Sequence, residues 1–103
     1  MNTVNFQVAG IRYRLADFEK ANVHQGDRLT LKAEPTNKYD PYAIQVLAGK
    51  AMIGYVPHTH TALLTEIVND PQGDLHCVAT NVWPGGCCAR AMWAGVVETK
   101  GTL

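Results

Sequence analysis

The sequence predicts a mainly β domain, a small antiparallel barrel with one or two short helices, that spans residues 1–103 as a single unit. A chain of 103 residues is long enough for one modest hydrophobic core and too short for two. Short strand-like runs follow one another closely, and only one segment has a long helical periodicity. Closely spaced strands with one substantial helix are typical of antiparallel barrels rather than of parallel α/β sheets.

Two strands, a short helix and a turn are predicted in the first part of the chain. Residues 6–13 form the first strand, with Gly10 as a bulge or a point of close backbone approach. Residues 15–21 have apolar side chains at three-residue spacing, which predicts one or two helical turns. A turn at residues 25–27 then leads to residues 28–34, whose strict alternation makes them the clearest strand in the chain.

A hairpin and the main helix are predicted next. Residues 43–47 and 51–56 are two strand-like runs separated by a short turn. The helix follows Pro57 and ends near residues 69–71, where Asn, Asp and Pro stop it. The apolar stripe of this helix consists of Ala62, Leu63, Leu64, Ile67 and Val68. Its candidate N-cap residue is Thr59 or Thr61.

Two closing strands are predicted at residues 75–82 and 89–97, on either side of the turn WPGG at residues 83–86. Cys87 and Cys88 follow this turn directly. Adjacent residues of a strand point to opposite faces, and no catalytic base is placed beside either thiol. We therefore expect both cysteines to be chemically inert or oxidised only incidentally.

The composition predicts a soluble globular protein of the cytoplasm. The chain is 47% hydrophobic and 17% charged, and no run approaches the roughly 18 consecutive apolar residues of a membrane span. Its N-terminal residues lack the basic and apolar regions of a secretory signal. Three cysteines form an odd set, which favours reduced thiols over a disulfide framework.

The charge balance limits the kinds of partner. Nine basic residues match nine acidic ones, and the pI is about 6.9. A domain that holds nucleic acid by bulk charge usually has a pI above about 9. A small site that holds one or two phosphates is still compatible with this balance, and it is expected in the first forty residues, which contain six of the basic residues.

The connection EPTNKYDPYAI at residues 34–44 contains more than a turn needs. Its prolines and Asn37 are ordinary turn residues, but the neighbouring Tyr39 and Asp40 are not required by turn geometry. Two structural explanations remain open. Tyr39 would cover one end of the barrel, or Asp40 would form an Asx turn with its own backbone.

Four blocks of the sequence, taken in order, resemble the HIRAN domain family. They are VAGIRY, GDRLTLKAEPTNKYDPYAI, IGYVP and the helix that follows, and together they cover residues 6–69. The central block is the most specific, because an acidic-Pro pair, an Asn, Tyr-Asp-Pro and Ala-Ile stand together between two strands. The segment LADFEKANVHQ and the WPGG turn have no counterpart in the family pattern.

The resemblance implies an OB-like barrel that captures the free 3′ end of single-stranded DNA. In the family, two aromatic rings hold the terminal bases, a carboxylate bonds the 3′ hydroxyl, and basic and amide groups contact base edges and phosphate. The matching residues of this sequence are Arg12 and Tyr13, Asn37, Tyr39 and Asp40, together with Tyr55, which stands where some relatives have a polar ring.

The chemistry of these side chains agrees with that function. A base stacked on an aromatic ring contributes about 1–3 kcal/mol, which suits Tyr13 and Tyr39. A carboxylate repels phosphate and accepts a hydrogen bond from a hydroxyl, so Asp40 would favour a 3′ hydroxyl over a 3′ phosphate. Arg12, with Lys38, would offset the charge of the DNA.

Two other functions are considered. A protein-interaction or assembly module that binds no DNA would be compatible with the near-neutral charge. A metalloenzyme would need His58, His60, His76 and Cys77, but their spacing is not that of a zinc site.

Catalytic motifs are absent from the sequence: it has no phosphate-binding loop and no nucleophile elbow. We therefore expect a binding module without cofactor or metal. Any ATPase or nuclease activity would belong to a partner such as a helicase, a nuclease or another DNA-processing protein.

Overall fold

Six antiparallel strands form one sheet in the computed structural model, which describes residues 2–70 and 73–94. The order of strands in the sheet is β1-β6-β5-β2-β3-β4. The strands are β1 Asn2–Gln7, β2 Arg28–Ala33, β3 Ile44–Ala48, β4 Ala51–Tyr55, β5 His76–Trp83 and β6 Gly86–Trp93. The predicted mainly β, antiparallel fold is therefore confirmed.

Two helices and one 3₁₀ turn lie between these strands. Helix α1 is Leu15–Ala21, helix α2 is His58–Val68, and the 3₁₀ turn is Ile11–Tyr13. The short helix predicted at residues 15–21 is confirmed at both ends. Within the part of the chain that the structure describes, no helix is long and apolar enough to cross a membrane.

The two end strands of the sheet meet at a single point. Ala9, just beyond β1, exchanges two backbone hydrogen bonds with Tyr55 at the end of β4, at 2.8 and 2.9 Å. The sheet is therefore joined by one bridge and not closed by a continuous ladder, a looser arrangement than the predicted barrel. Gly54 permits this approach, because a Cβ atom there would lie 2.5 Å from the carbonyl oxygen of Ala9.

One hydrophobic core lies between the sheet and the two helices. Its fully buried members include Ile44, Val46 and Ile53 from the hairpin of β3 and β4 and Leu64 from α2. From α1, Phe18 is buried in the same core and Ala21 packs against it. Burial of one such side chain contributes about 1.5–3 kcal/mol, so this core fixes how the helices sit on the sheet.

The predicted first strand was wrong at both ends. The structure begins β1 at Asn2 and ends it at Gln7, whereas residues 6–13 were expected. Gly10 has a left-handed backbone with φ of 78°, which stops the extended chain and starts the 3₁₀ turn. Arg12 and Tyr13 consequently lie in a turn and not on a strand.

The predicted cap and part of the predicted stripe of α2 were also wrong. Helix α2 begins at His58 without a side-chain cap, and Thr61 is buried, with its hydroxyl donating to the carbonyl of His58 at 2.9 Å. The buried side chains of α2 are Thr61, Leu64 and Ile67, whereas Leu63 is 40% exposed. Packing against the sheet thus rotates the buried face away from Leu63.

The predicted closing hairpin is confirmed, but its second strand begins at Gly86, three residues earlier than predicted, and ends at Trp93. Strands β5 and β6 pair across the turn at Trp83–Gly86, and residues 95–97 of the predicted last strand lie outside the described residues. Cys87 is fully buried and Cys88 half-buried, as expected for opposite faces. Burial raises the pKa of the Cys77 thiol to about 12 and that of Cys87 to about 11. These two thiols therefore stay protonated at neutral pH.

Candidate nucleic-acid interface

The connection between β2 and β3 is held in shape by its own polar side chains. The side-chain oxygen of Asn37 accepts hydrogen bonds from the backbone N–H groups of Tyr39 and Asp40, at 2.8 and 2.9 Å. The side-chain nitrogen of Asn37 donates to a carboxylate oxygen of Glu34 at 2.9 Å. Asn37, predicted to contact DNA, thus positions the two residues beside it.

Asp40 uses its two carboxylate oxygens differently. Oδ1 accepts the backbone N–H of Tyr42 at 2.8 Å, which is an Asx turn, one of the alternatives that the sequence left open. Oδ2 lies 3.5 Å from Nδ1 of His58, the first residue of α2. The carboxylate keeps 28% of its side-chain surface exposed, so Oδ2 is still within reach of solvent and ligands.

Glu34 is the centre of a hydrogen-bond network that the sequence analysis did not assign. Its carboxylate accepts hydrogen bonds from the side chains of Gln45, Asn37 and Tyr55, the last at 3.2 and 3.3 Å. The hydrogen bond from Gln45, followed by those from Asn37 and Tyr55 and by the charge of Arg14, lowers the pKa of Glu34 against a smaller opposing effect of burial. Glu34 therefore stays ionised and ties the connection to β3 and β4.

Tyr55 joins the two segments that carry the predicted site. Its hydroxyl donates to Glu34, in the connection that holds Tyr39, while its backbone forms the bridge to Ala9, three residues before Arg12. The side chain is partly buried. Tyr55, predicted as a direct DNA contact, has a structural role at this junction.

Arg12 and Tyr13 form a stacked pair on the 3₁₀ turn. The guanidinium carbon of Arg12 lies 4.7 Å from the centre of the Tyr13 ring, a cation–π arrangement. A terminal nitrogen of Arg12 also donates to the Tyr13 hydroxyl at 2.8 Å. The Tyr13 side chain is nevertheless 77% exposed, so the pair presents both a ring and a positive charge to solvent.

A cavity of about 310 Å³ lies beside this pair, and the WPGG turn forms part of its wall. Gly85 and Gly86 line it together with Arg12 and Tyr13. No role was predicted for this turn, because it has no counterpart in the family pattern. The pairing of β5 with β6 forms this turn, and the pairing of β6 with β1 brings it next to the segment that follows β1.

The structure thus arranges the predicted residues in two groups. The first contains Arg12 and Tyr13, which contact each other. The second contains residues 37–40, in which Tyr39 is 97% exposed and Lys38 is also exposed. Among the described residues no hydrogen bond or ring contact links the two groups directly, and Tyr55 connects them.

The histidines considered for a metal site lie in separate pairs. His58 faces Asp40, and His76 contacts Asp74 at 2.7 Å. Within residues 2–70 and 73–94, no group of three His, Cys, Asp or Glu side chains is arranged to hold a metal ion.

Comparison with known proteins places the chain in a family. The family model described as the HIRAN domain matches residues 1–84. The fold is similar to that of the HIRAN domain of human HLTF, with a TM-score of 0.72 and 17% identity over 89% of this chain and 74% of that one. It is also similar to a protein from Lactobacillus plantarum, with a TM-score of 0.70 and 21% identity over 87% of this chain and 95% of that one.

No curated protein matches this sequence significantly. The HIRAN family is known as a family of DNA-binding domains. The family model covers well over half of the sequence, and both similar structures share the fold of this chain. The chain therefore belongs to the HIRAN domain family.

Proposed function

We propose that this protein binds single-stranded DNA and captures its free 3′-hydroxyl end between Tyr13 and Tyr39. The observation that supports this most strongly is the exposure of both rings, 77% and 97%, on two segments that Tyr55 joins. Membership of a family of DNA-binding domains supports the broader part of the proposal. The capture of the end is the finer part, and it depends on the chemistry of the individual residues.

Tyr39 is suited to stacking because its backbone is fixed while its ring is free. The hydrogen bond from its N–H to Asn37 holds the main chain at the base of the side chain, whereas the ring is 97% exposed. A base stacked on such a ring gains about 1–3 kcal/mol without any requirement for its identity. Because the backbone is already fixed, only the side-chain torsions of Tyr39 need to be ordered when a base binds.

Arg12 can offer a positive charge to DNA while it remains hydrogen-bonded to Tyr13. One terminal nitrogen donates to the Tyr13 hydroxyl, and a guanidinium has five N–H donors in all. The remaining donors are available to a phosphate, and Lys38 adds a second exposed positive charge next to Tyr39. These two cations suit a site for one or two phosphates in a chain without net charge.

Asp40 would recognise the end itself. Because Oδ1 already accepts the N–H of Tyr42, Oδ2 is the oxygen that meets a ligand. A 3′ hydroxyl can donate to this oxygen, whereas a 3′ phosphate brings negative charge against it. The Asx turn and the recognition of the end are therefore compatible, because each uses a different oxygen.

The proposed role is that of a non-catalytic binding module in the cytoplasm, with any helicase or nuclease chemistry supplied by a partner. Fluorescence anisotropy with short oligonucleotides tests the role in DNA binding. We expect the tightest binding for a free 3′ hydroxyl, weaker binding for a 3′ phosphate, and the weakest for a circular strand. Equal affinity for all three would contradict capture of the end. No binding of any of them would favour a protein-interaction module instead.

A further inference from the structure

We propose a second DNA-contacting surface, which holds the nucleotides that precede the 3′ end. This surface, called here the outer sheet groove, lies over β1, β6 and β5, outside the residues assigned to the end site. The inference rests on the proposed function, because it assumes that a DNA strand is anchored at Tyr13 and Tyr39. It extends that function by assigning a path to the rest of the strand.

The groove is larger than the cavity beside Arg12 and Tyr13. Its volume is about 720 Å³, against about 310 Å³ for the cavity beside Arg12 and Tyr13. Six of its ten lining residues carry an amide, hydroxyl or guanidinium side chain, and none of the ten is acidic. These polar lining residues are Asn5, Gln7, Gln25, Thr80, Asn81 and Arg90.

The groove continues directly from the end site. Gln7, the last residue of β1, lines both cavities, and it pairs with Cys88 on β6 inside the groove. A strand whose last base stacks on Tyr13 therefore meets the groove as soon as it leaves the smaller cavity. This continuity identifies single-stranded DNA as the occupant, because the groove begins where the proposed ligand emerges.

Arg90 is the residue placed to hold a phosphate in the groove. Its Nε donates to the side-chain oxygen of Asn5 on the neighbouring strand at 2.8 Å, which orients the guanidinium and leaves its terminal nitrogens available. Arg28 extends the positive charge across the sheet, because Arg28 and Arg90 both stand opposite Val78, on either side of it. Arginine in such a prepared position is well suited to phosphate.

Charge is separated within this neutral protein in a way that favours the same occupant. None of the six described strands contains Asp or Glu, and the acidic residues of the described chain all lie in helices and connections. The sheet carries Arg28, Lys32 and Arg90 instead. A neutral total charge thus coexists with a sheet surface that attracts the phosphates of a nucleic acid.

Cys88 provides a native probe of the groove. It lines the groove and is half-buried, whereas Cys77 and Cys87 are buried, and burial raises the pKa of each. Iodoacetamide should therefore label Cys88 first, and a Cys88→Ser variant checks that assignment. An oligonucleotide of about eight nucleotides with a 3′ hydroxyl should slow the labelling of Cys88. A dinucleotide at saturating concentration should leave the labelling rate unchanged.

Arg90→Gln tests the charge contribution. We expect weaker binding of the longer oligonucleotide, with its dependence of log affinity on log salt reduced by about 0.7, and unchanged binding of the dinucleotide. Lys50→Gln is the matched control, because it also removes one positive charge but lies in the turn between β3 and β4, outside both cavities. This control should behave like the wild type with both ligands.

The outcomes separate this inference from the proposed function. The inference is wrong if the dinucleotide binds but the longer oligonucleotide binds no tighter, if Cys88 is labelled equally fast with either, or if Arg90→Gln weakens both equally. Each of these results leaves the capture of the end intact. If neither ligand binds, the proposed function fails, and the inference fails with it.

Discussion

The connection between β2 and β3 and the segment after β1 both present a tyrosine to solvent, but they hold it differently. In the connection, Asn37 fixes the backbone N–H of Tyr39, and the residue is 97% exposed. In the segment after β1, Arg12 contacts the ring and the hydroxyl of Tyr13 directly. One tyrosine is placed through its main chain and the other through its side chain.

This difference indicates what each polar residue does. Polar side chains of the connection, such as Glu34 and Asn37, are used to build the loop, so their loss should affect stability first. Arg12 stabilises only a side-chain orientation, so its loss should affect binding first. The prediction that Arg12 and Asn37 both contact DNA did not distinguish these two roles.

The largest effect is expected where the two regions are joined. A methyl group at Gly54 would lie 2.5 Å from the carbonyl oxygen of Ala9 and 2.6 Å from a side-chain carbon of Val8. Gly54→Ala should therefore break the bridge and cost about 1–3 kcal/mol of stability. Urea unfolding measures this loss. A variant as stable as the wild type would show that the bridge does not hold the segment after β1.

The next effect is on binding and should be similar for both rings. Tyr39→Ala and Tyr13→Ala should each weaken the binding of a short 3′-hydroxyl oligonucleotide by about 1–3 kcal/mol. Both rings are exposed, so the stability of each variant should change little. Anisotropy measures the binding, and Tyr42→Ala is the matched control, because this residue is 61% exposed in the same connection. Equal losses in all three variants would argue against specific stacking.

Glu34→Gln should reduce stability more than it reduces binding. The substitution removes the negative charge of the carboxylate that accepts hydrogen bonds from Gln45, Asn37 and Tyr55. The expected loss in the free energy of unfolding is about 1–2 kcal/mol at pH 7. Thermal unfolding measures this cost. Glu66→Gln, an exposed glutamate of α2, is the control and should leave the melting temperature unchanged.

The pH dependence of stability should differ between the wild type and Glu34→Gln. Because the pKa of Glu34 is lowered in the folded state, the Glu34 carboxylate is protonated more readily in the unfolded chain than in the folded protein. This contribution to stability is complete above about pH 4.5 and is lost as the pH falls through the lowered value. The wild type should therefore lose more stability in acid than Glu34→Gln does. Parallel pH profiles of the two proteins would refute this role.

The smallest effect is expected from Asp40→Asn. Asparagine keeps an oxygen that accepts the N–H of Tyr42, so the Asx turn and the fold should be retained. The lost negative charge should reduce the preference for a 3′ hydroxyl over a 3′ phosphate by about 1 kcal/mol or less. Competition between the two oligonucleotides measures the change. Unfolding without a change in preference would mean that Asp40 is only a turn residue.

The fold could be predicted where local pattern decides it. Strict alternation predicted β2, and three-residue spacing predicted α1, whose ends agree with the structure. The phase of α2 could not be predicted, because adjacent Leu63 and Leu64 fit two helical faces equally well and only packing selects Leu64. The end of β1 was missed because it depends on the left-handed Gly10 and on a bridge to a distant strand.

The candidate site could be predicted only in part. Tyr39 and Asp40 were predicted as site residues because turn geometry was not expected to require them; both are exposed at least in part, and Asp40 also serves the turn through Oδ1. The role of Glu34 could not be predicted, because its partners Gln45 and Tyr55 are 11 and 21 residues away along the chain. Side-chain networks of this kind depend on tertiary contacts that leave no local pattern in the sequence.

Photocrosslinking from the end of the strand tests the central claim most directly. An oligonucleotide with an iodouracil base at its 3′ terminus would be bound and irradiated, and the modified residues would be mapped by mass spectrometry. We predict crosslinks at Tyr13 or Tyr39, and their absence when the same base is placed at the 5′ terminus. Crosslinks confined to other residues, or identical patterns from both termini, would contradict capture of the 3′ end by this pair of rings.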